Sequence, residues 1–245
     1  MFSKSDFLMP QILAVEKDFF LVYKPPRFHS SPLANSRGEN ILSWCSVQFP
    51  EIADLPGRKA GEGGLLHRLD YETHGILLLA RNMPGMEALL QEQGEGKILK
   101  EYSALTAKCD VMLPGFPPMR DNLIPNLPFR IQSAFRPYGP GRKAVRPVLI
   151  YRAEGEKQRE LYTSEIAEVT HLDERLACFR LRIWRGFRHQ IRSHLAWLGM
   201  PILNDSLYGG ASSGEGFLAL RACSISFLDP STGKERSYSI PPLEP

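Results

Sequence analysis

No stretch of this 245-residue chain is apolar for anything near the roughly 20 residues that a helix needs to cross a bilayer. Short apolar runs such as Ile76 to Ala80 suit buried strands instead, so no membrane association is expected. The opening MFSKSDFLMPQIL lacks the unbroken apolar stretch of a secretory leader, so a cytoplasmic chain is expected. Cysteine is scarce: the four residues at 45, 109, 178 and 223 form no CxxC pair, which argues against a zinc knuckle or a disulfide framework. The sequence also lacks internal repeats, low-complexity tracts and any Gly/Ser linker long enough to separate independent units. A single domain of two lobes over residues 1–245 is therefore expected.

A large charge imbalance is missing as well, since the formal net charge is only +3. Distribution carries more information than the sum. From Val111 to Arg152 the chain holds Arg120, Arg130, Arg136, Arg142, Lys143, Arg146 and Arg152 against the single acid Asp121, and it is rich in proline. That pattern suggests a basic, loop-rich excursion. A second cluster, Arg180, Arg182, Arg185, Arg188 and Arg192, follows. Together the two stretches could line a surface for phosphates.

What is present in quantity is strand pattern. Residues Ile12 to Lys24 suggest two short strands around a Glu-Lys-Asp turn, stopped by Pro25-Pro26, and a short helix is expected around Ile41 to Gln48. Leu65 to Leu69 looks extended, and Gly75 to Ala80 is a strand of the fully buried kind. Asn82 before Pro84 starts a helix that runs toward Gly94, and Glu101 to Lys108 returns to strand, with Tyr102, Ala104 and Thr106 on one face. At least two further strands fall between Glu165 and Trp184. A helix over Arg188 to Leu198 closes at Gly199, and Phe217 to Phe227 is again a strand. Many strands with few interspersed helices give an α+β class around an extended mixed sheet.

The richest chemistry lies in Gly64-Leu-Leu-His-Arg-Leu-Asp70-Tyr-Glu-Thr-His-Gly75. If Leu66 to Asp70 is extended, Arg68 and Asp70 project from one face while His67 and Leu69 point to the other. A carboxylate and a cation just before a turn at the edge of an apolar sheet suit a site held by a rigid scaffold. A structural Arg/Asp pair has the same spacing. A metal site is a third reading, because His67, Asp70 and His74 would share one face of a helix; Gly75 and the strand character of the segment oppose it.

The run HRLDYETHGILLLAR resembles the HRLDxxTSGLLLLAK signature of the RluA-type pseudouridine synthases, and four more segments are similar to the family in the same order. They are Val22-Tyr-Lys-Pro-Pro-Arg-Phe-His29, Lys100-Glu-Tyr-Ser-Ala104, Gly186-Phe-Arg-His-Gln-Ile-Arg192-Ser-His-Leu-Ala196 and Leu198-Gly-Met-Pro-Ile-Leu-Asn-Asp205-Ser-Leu-Tyr-Gly209. Departures are His74 for the usual serine, Asn204 for the usual glycine, and Leu220-Arg221-Ala222 where Leu-His-Ala is common. The resemblance implies the pseudouridine synthase fold, an extended, mixed but mostly antiparallel sheet with flanking helices and loops and a central active-site cleft. It leaves no room before the first motif for an N-terminal S4-type RNA-binding domain.

The implied activity is isomerisation of a specific uridine in structured ribosomal or transfer RNA, with no cofactor and no metal, by a monomer whose partner is RNA. The resemblance assigns Asp70 as the essential carboxylate, Tyr102 as the active-site tyrosine and Arg192 as the arginine that pairs with that aspartate. RNA contacts are expected from Arg68, which could enter the stack where the uridine leaves, and from His67, Arg188, His189, Arg142, Lys143 and Arg146. A vestigial RNA-binding module and a metal-dependent hydrolase using His67 and Asp70 are the rivals.

Overall fold

A computed structural model describes residues 8–32, 40–57, 61–118, 126–149, 160–214 and 216–243. The chain divides into two compact units, one formed by residues 1–100 and 221–241, the other by 101–220 and 242–245.

In the first unit β1 (Gln11–Val15) and β2 (Phe19–Lys24) form an antiparallel hairpin. β2 is buried along its whole length and pairs antiparallel with β3 (His74–Ala80), from Phe19 opposite Ala80 to Lys24 opposite Gly75. Continuous burial on both faces explains why neither strand shows apolar/polar alternation. α1 (Ile41–Ser46) starts at Asn40, whose side chain accepts from Ser43 N at 2.9 Å. α2 (Met83–Glu95) starts at Asn82, which accepts from Gly85 N at 2.8 Å, and it ends at the left-handed Gly96.

β4 (Leu99–Ala107) carries the chain into the second unit, and β9 (Leu220–Leu228) brings it back. β9 runs parallel to β3 at His74/Arg221 and Gly75/Ala222. Gly75 permits that approach, since a Cβ there would lie 2.2 Å from the Ala222 carbonyl oxygen. β10 (Glu235–Ser239) extends this sheet antiparallel to β9. It has no apolar run to announce it in the sequence.

The second unit contains β5 (Phe129–Tyr138), β6 (Ala144–Val148), β7 (Tyr162–His171) and β8 (Leu176–Ile183), with antiparallel pairings β6–β5–β7–β8. The basic segment from Val111 therefore corrects the expectation of a loop-rich excursion, because β5 and β6 form a hairpin within it. Pro137 and Pro147 sit opposite Val145 and Phe135, and the hairpin lies at the edge of the sheet, where a missing N–H is tolerated. Arg120, Asp121 and Arg152 lie outside the described residues. α3 (Gln190–Trp197) begins after His189, at φ 54°, two residues later than the sequence pattern suggested. His194 of α3 is fully buried, with its two ring nitrogens 3.0 and 2.9 Å from the hydroxyls of Ser133 on β5 and Ser164 on β7.

Candidate active site

The segment leading to Asp70 is aligned on β3 and then released from it. Leu65 bridges Leu79, and Leu66 N donates to Leu78 O at 3.2 Å. Beyond Leu66 the ladder stops, yet the expected alternation continues: His67 and Leu69 are buried, Arg68 is exposed and Asp70 is half-buried. His67 Nε2 accepts from Leu78 N at 3.3 Å, so this ring is engaged with the protein backbone rather than presented on the surface. Arg68 reaches Glu62 at 3.1 Å while half its side chain stays exposed.

Three contacts immobilise the backbone around Asp70. Ser30 Oγ donates to Leu69 O at 2.9 Å and accepts from Leu69 N at 3.1 Å, filling both backbone groups of the preceding residue. Thr73 N donates to Asp70 O at 3.1 Å and closes the turn into β3. On the other side Lys24, fully buried at the end of β2, donates through Nζ to Tyr71 O at 3.1 Å, as well as to Phe28 O at 2.7 Å and Pro25 O at 2.9 Å. Three carbonyl acceptors match the three protons of an ammonium group. Burial pulls the Lys24 pKa down to about 7, against the opposing pull of the Asp70 and Glu72 carboxylates. In sequence Lys24 stands inside the Val22–His29 motif with nothing local to assign it a role. Its signal was a lone lysine ending a wholly apolar strand.

His74 is buried at the start of β3, and its Nδ1 has no hydrogen-bond partner among the described residues. Burial, with the charges of Arg221 and Lys24 adding to it, holds its pKa at about 3, so the ring is neutral. Among the described residues no three His, Cys, Asp or Glu side chains gather as a metal-binding group, and His67, Asp70 and His74 are no exception.

In the second unit Tyr102 lies buried on β4, on the same strand face as Ala104 and Thr106. Arg192 on α3 is buried, and its guanidinium makes a two-pronged pair with Asp205, Nε to Oδ2 at 2.7 Å and the terminal Nη2 to Oδ1 at 2.8 Å. Asp205 lies in the Asn-Asp-Ser-Leu-Tyr-Gly segment, where no local spacing marks it as the partner of Arg192. Arg192 also lies 5.4 Å from the centre of the Tyr208 ring, and Tyr208 OH donates to Val145 O at 3.0 Å while accepting from Val145 N at 2.8 Å. The two motifs around Arg192 and Asp205 are thereby fastened to β6.

The remaining basic residues separate into two kinds. Arg188 donates to Arg142 O at 2.8 Å and Ala144 O at 3.1 Å, and His189 Nδ1 lies 3.2 Å from Tyr208 OH, so both brace the structure. Arg182 pairs with Glu101 at 2.7 Å and Arg130 with Glu165 at 2.8 Å, while Arg185 faces Glu160 at 3.4 Å. In contrast, Arg142 and Lys143 stand exposed at the β5–β6 turn, and Arg146, half-exposed on β6, donates to Gly115 O.

Comparison with known proteins places this arrangement. The family model described as RNA pseudouridylate synthase matches residues 18–197. Ribosomal large subunit pseudouridine synthase D of Pasteurella multocida (strain Pm70) is 29% identical over 200 residues, covering 81% of this chain and 52% of its own length. The protein of the same name from Escherichia coli (strain K12) is 26% identical over 250 residues, covering 94% and 66%. The chain thus spans about half to two-thirds of the length of the curated relatives it matches. Among solved structures, human RNA Pseudouridylate Synthase Domain Containing 1 superposes with a TM-score of 0.65 at 18% identity, over 98% of this chain and 86% of the other, a likeness of fold. With its family model matched across β2 to α3, the chain belongs to the RNA pseudouridylate synthase family.

Proposed function

We propose that this protein converts a uridine to pseudouridine within a structured RNA, with Asp70 as the essential carboxylate. The observation that carries the reading is the clamp on the Asp70 segment: Ser30 holds Leu69 from both backbone groups, and Lys24 holds the Tyr71 carbonyl, while the Asp70 side chain between them stays half-exposed. A carboxylate that must meet one atom of a nucleotide needs this backbone rigidity, because small errors of position are costly in rate.

In the isomerisation the C1′–N1 glycosidic bond breaks, a C1′–C5 bond forms, and the C5 proton is exchanged for one on N1. Atoms and electrons balance without an oxidant, so the reaction calls for no redox cofactor. Asp70 would act on the sugar or base of a nucleotide flipped out of its stack. Tyr102 would lie against the detached base, where a phenol can also exchange protons, and Arg192, oriented on one edge by Asp205, would stabilise the charged form of the catalytic carboxylate. Arg68, planar and half-exposed, is suited to stack where the uridine departs.

The names of the curated relatives make large-subunit ribosomal RNA the first substrate to test, with transfer RNA second. The enzyme would work in the cytoplasm as a monomer. Chemical mapping of pseudouridine across total RNA, from cells with and without this protein, would identify the substrate. Identical maps would overturn the proposal, as would sites restored in full by an Asp70→Asn copy.

A further inference from the structure

Building on the reading of an RNA substrate, we infer that the β5–β6 hairpin is a preformed grip for the RNA phosphate backbone, with Arg136 as a principal contact alongside Arg142, Lys143 and Arg146. The register places Arg136 directly opposite Arg146. Two like charges across an antiparallel pair repel, a cost that the Arg146 bond to the Gly115 carbonyl does not neutralise and that a bound anion would offset. No aspartate or glutamate occurs among residues 126–149, and Arg136, Arg142 and Lys143 are all exposed. Arginines nearer the sheet interior are treated differently: Arg130 and Arg182 both reach the buried Glu165, and Arg182 also reaches Glu101. Among the described residues, cations are thus paired with carboxylates at Glu165 and Glu101 and left without an ion pair at Arg136, Arg142 and Lys143.

The hairpin is also fixed in advance. Its turn runs through three positive-φ positions, Gly139 at 74°, Gly141 at 63° and Arg142 at 55°. Arg188 holds the carbonyls of Arg142 and Ala144, Tyr208 holds both backbone groups of Val145, and Ser193 Oγ donates to Val145 O at 3.2 Å. A grip that needs little ordering on binding retains more of its contact energy. The aromatic rings of the hairpin are turned into packing, Phe135 against Phe187 at 5.0 Å and Tyr138 against Phe116 at 5.5 Å. Guanidinium and ammonium groups therefore remain as its outward chemistry, which binds phosphate without reading bases. The hairpin sets how tightly RNA is held and leaves the choice of uridine to the Asp70 region.

The test measures binding of a fluorescein-labelled RNA stem-loop of mixed sequence between 50 and 200 mM salt, with turnover measured on ribosomal RNA from cells lacking the protein. The variant Arg136→Gln/Arg142→Gln/Lys143→Gln should bind at least about tenfold more weakly, and its salt slope should fall by about 2 to 3, near 0.7–0.9 per lost phosphate contact. Turnover at subsaturating RNA should fall in step with the affinity, and the position modified should stay the same. Arg136→Gln alone should lower the slope by just under 1, Arg136→Lys should restore it, and Arg130→Gln should leave it unaltered.

An unchanged slope and affinity in the triple variant, with circular dichroism and melting intact, would overturn the inference; so would loss of binding to vesicles of anionic phospholipid with RNA binding retained. Should the triple variant fail to fold, the single exposed substitutions decide by the same slopes. A wild-type protein that modifies no RNA would remove the proposed function, whereas an active enzyme indifferent to the hairpin substitutions would remove only this inference.

Discussion

The Asp70 segment and the β5–β6 hairpin handle charge in opposite ways. Around Asp70 the fully buried Lys24 is surrounded by three carbonyl oxygens, and the backbone on each side of the carboxylate is tied down. On the hairpin, cations stand side by side in solvent with no acid among residues 126–149. The difference suits the two tasks proposed for these regions. A carboxylate acting on one atom depends on position, and desolvation is the cost of fixing it; attraction to a polyanion depends on the number of cations and survives exposure.

The largest effect expected is loss of turnover in Asp70→Asn, which keeps the shape of the side chain and removes its charge. RNA binding and melting temperature should be near wild type, and pseudouridine formation by as much as a tenth of wild type would break the comparison at its root. Arg192 comes next. Arg192→Ala strands the fully buried Asp205 carboxylate and should destabilise the fold by about 3–5 kcal/mol in denaturant titrations. Arg192→Lys keeps the charge but loses the planar fork, so it should bind RNA nearly normally and turn over at least about tenfold more slowly; unaltered turnover would place Arg192 outside the chemistry.

Lys24 sharpens the comparison through pH. With its folded pKa at about 7 against an ordinary 10.5, Lys24 loses its third proton as pH rises through 7, and one carbonyl of the clamp loses its donor. Turnover should therefore fall on the alkaline side with an apparent pKa near 7, and Lys24→Met should be slow at every pH and lack that limb. Stability moves the other way. Between about 7 and 10.5 the unfolded chain binds the Lys24 proton and the folded chain does not, so the Lys24 contribution rises with pH. A melting-temperature difference between wild type and Lys24→Met that stays constant across this window would refute the assignment.

The smallest effect concerns His74. Its pKa of about 3 lies below the ordinary 6.5, so the unfolded chain takes up a proton that the folded chain refuses, and stability is lost as pH falls from about 6.5 toward 3. His74→Ser should reduce that acid sensitivity and change turnover little at neutral pH. A melting profile with the same acid limb would locate the sensitivity elsewhere, with the equally buried His194 as the next candidate.

By itself the sequence determined the elements with strong local signals: the helix start at Asn82, the apolar strand before Ala80, and the alternation that turns Arg68 and Asp70 outward while His67 and Leu69 turn in; the helix end expected near Gly94 falls at Gly96. These depend on residues a few positions apart, where backbone geometry fixes direction. Family motifs carried Asp70, Tyr102 and Arg192 to particular positions. Only the tertiary structure showed that a proline-rich basic segment is a hairpin, because its prolines are tolerable only at a sheet edge and edge position is not a local property. The partners of Lys24 and Arg192 were equally hidden. Tyr71 lies 47 residues from Lys24, and Asp205 lies 13 from Arg192 beyond the end of its helix, so no spacing rule reaches either pair. Whether a charge is caged, paired or left in solvent depends on what packs beside it, and that is decided when the strands assemble.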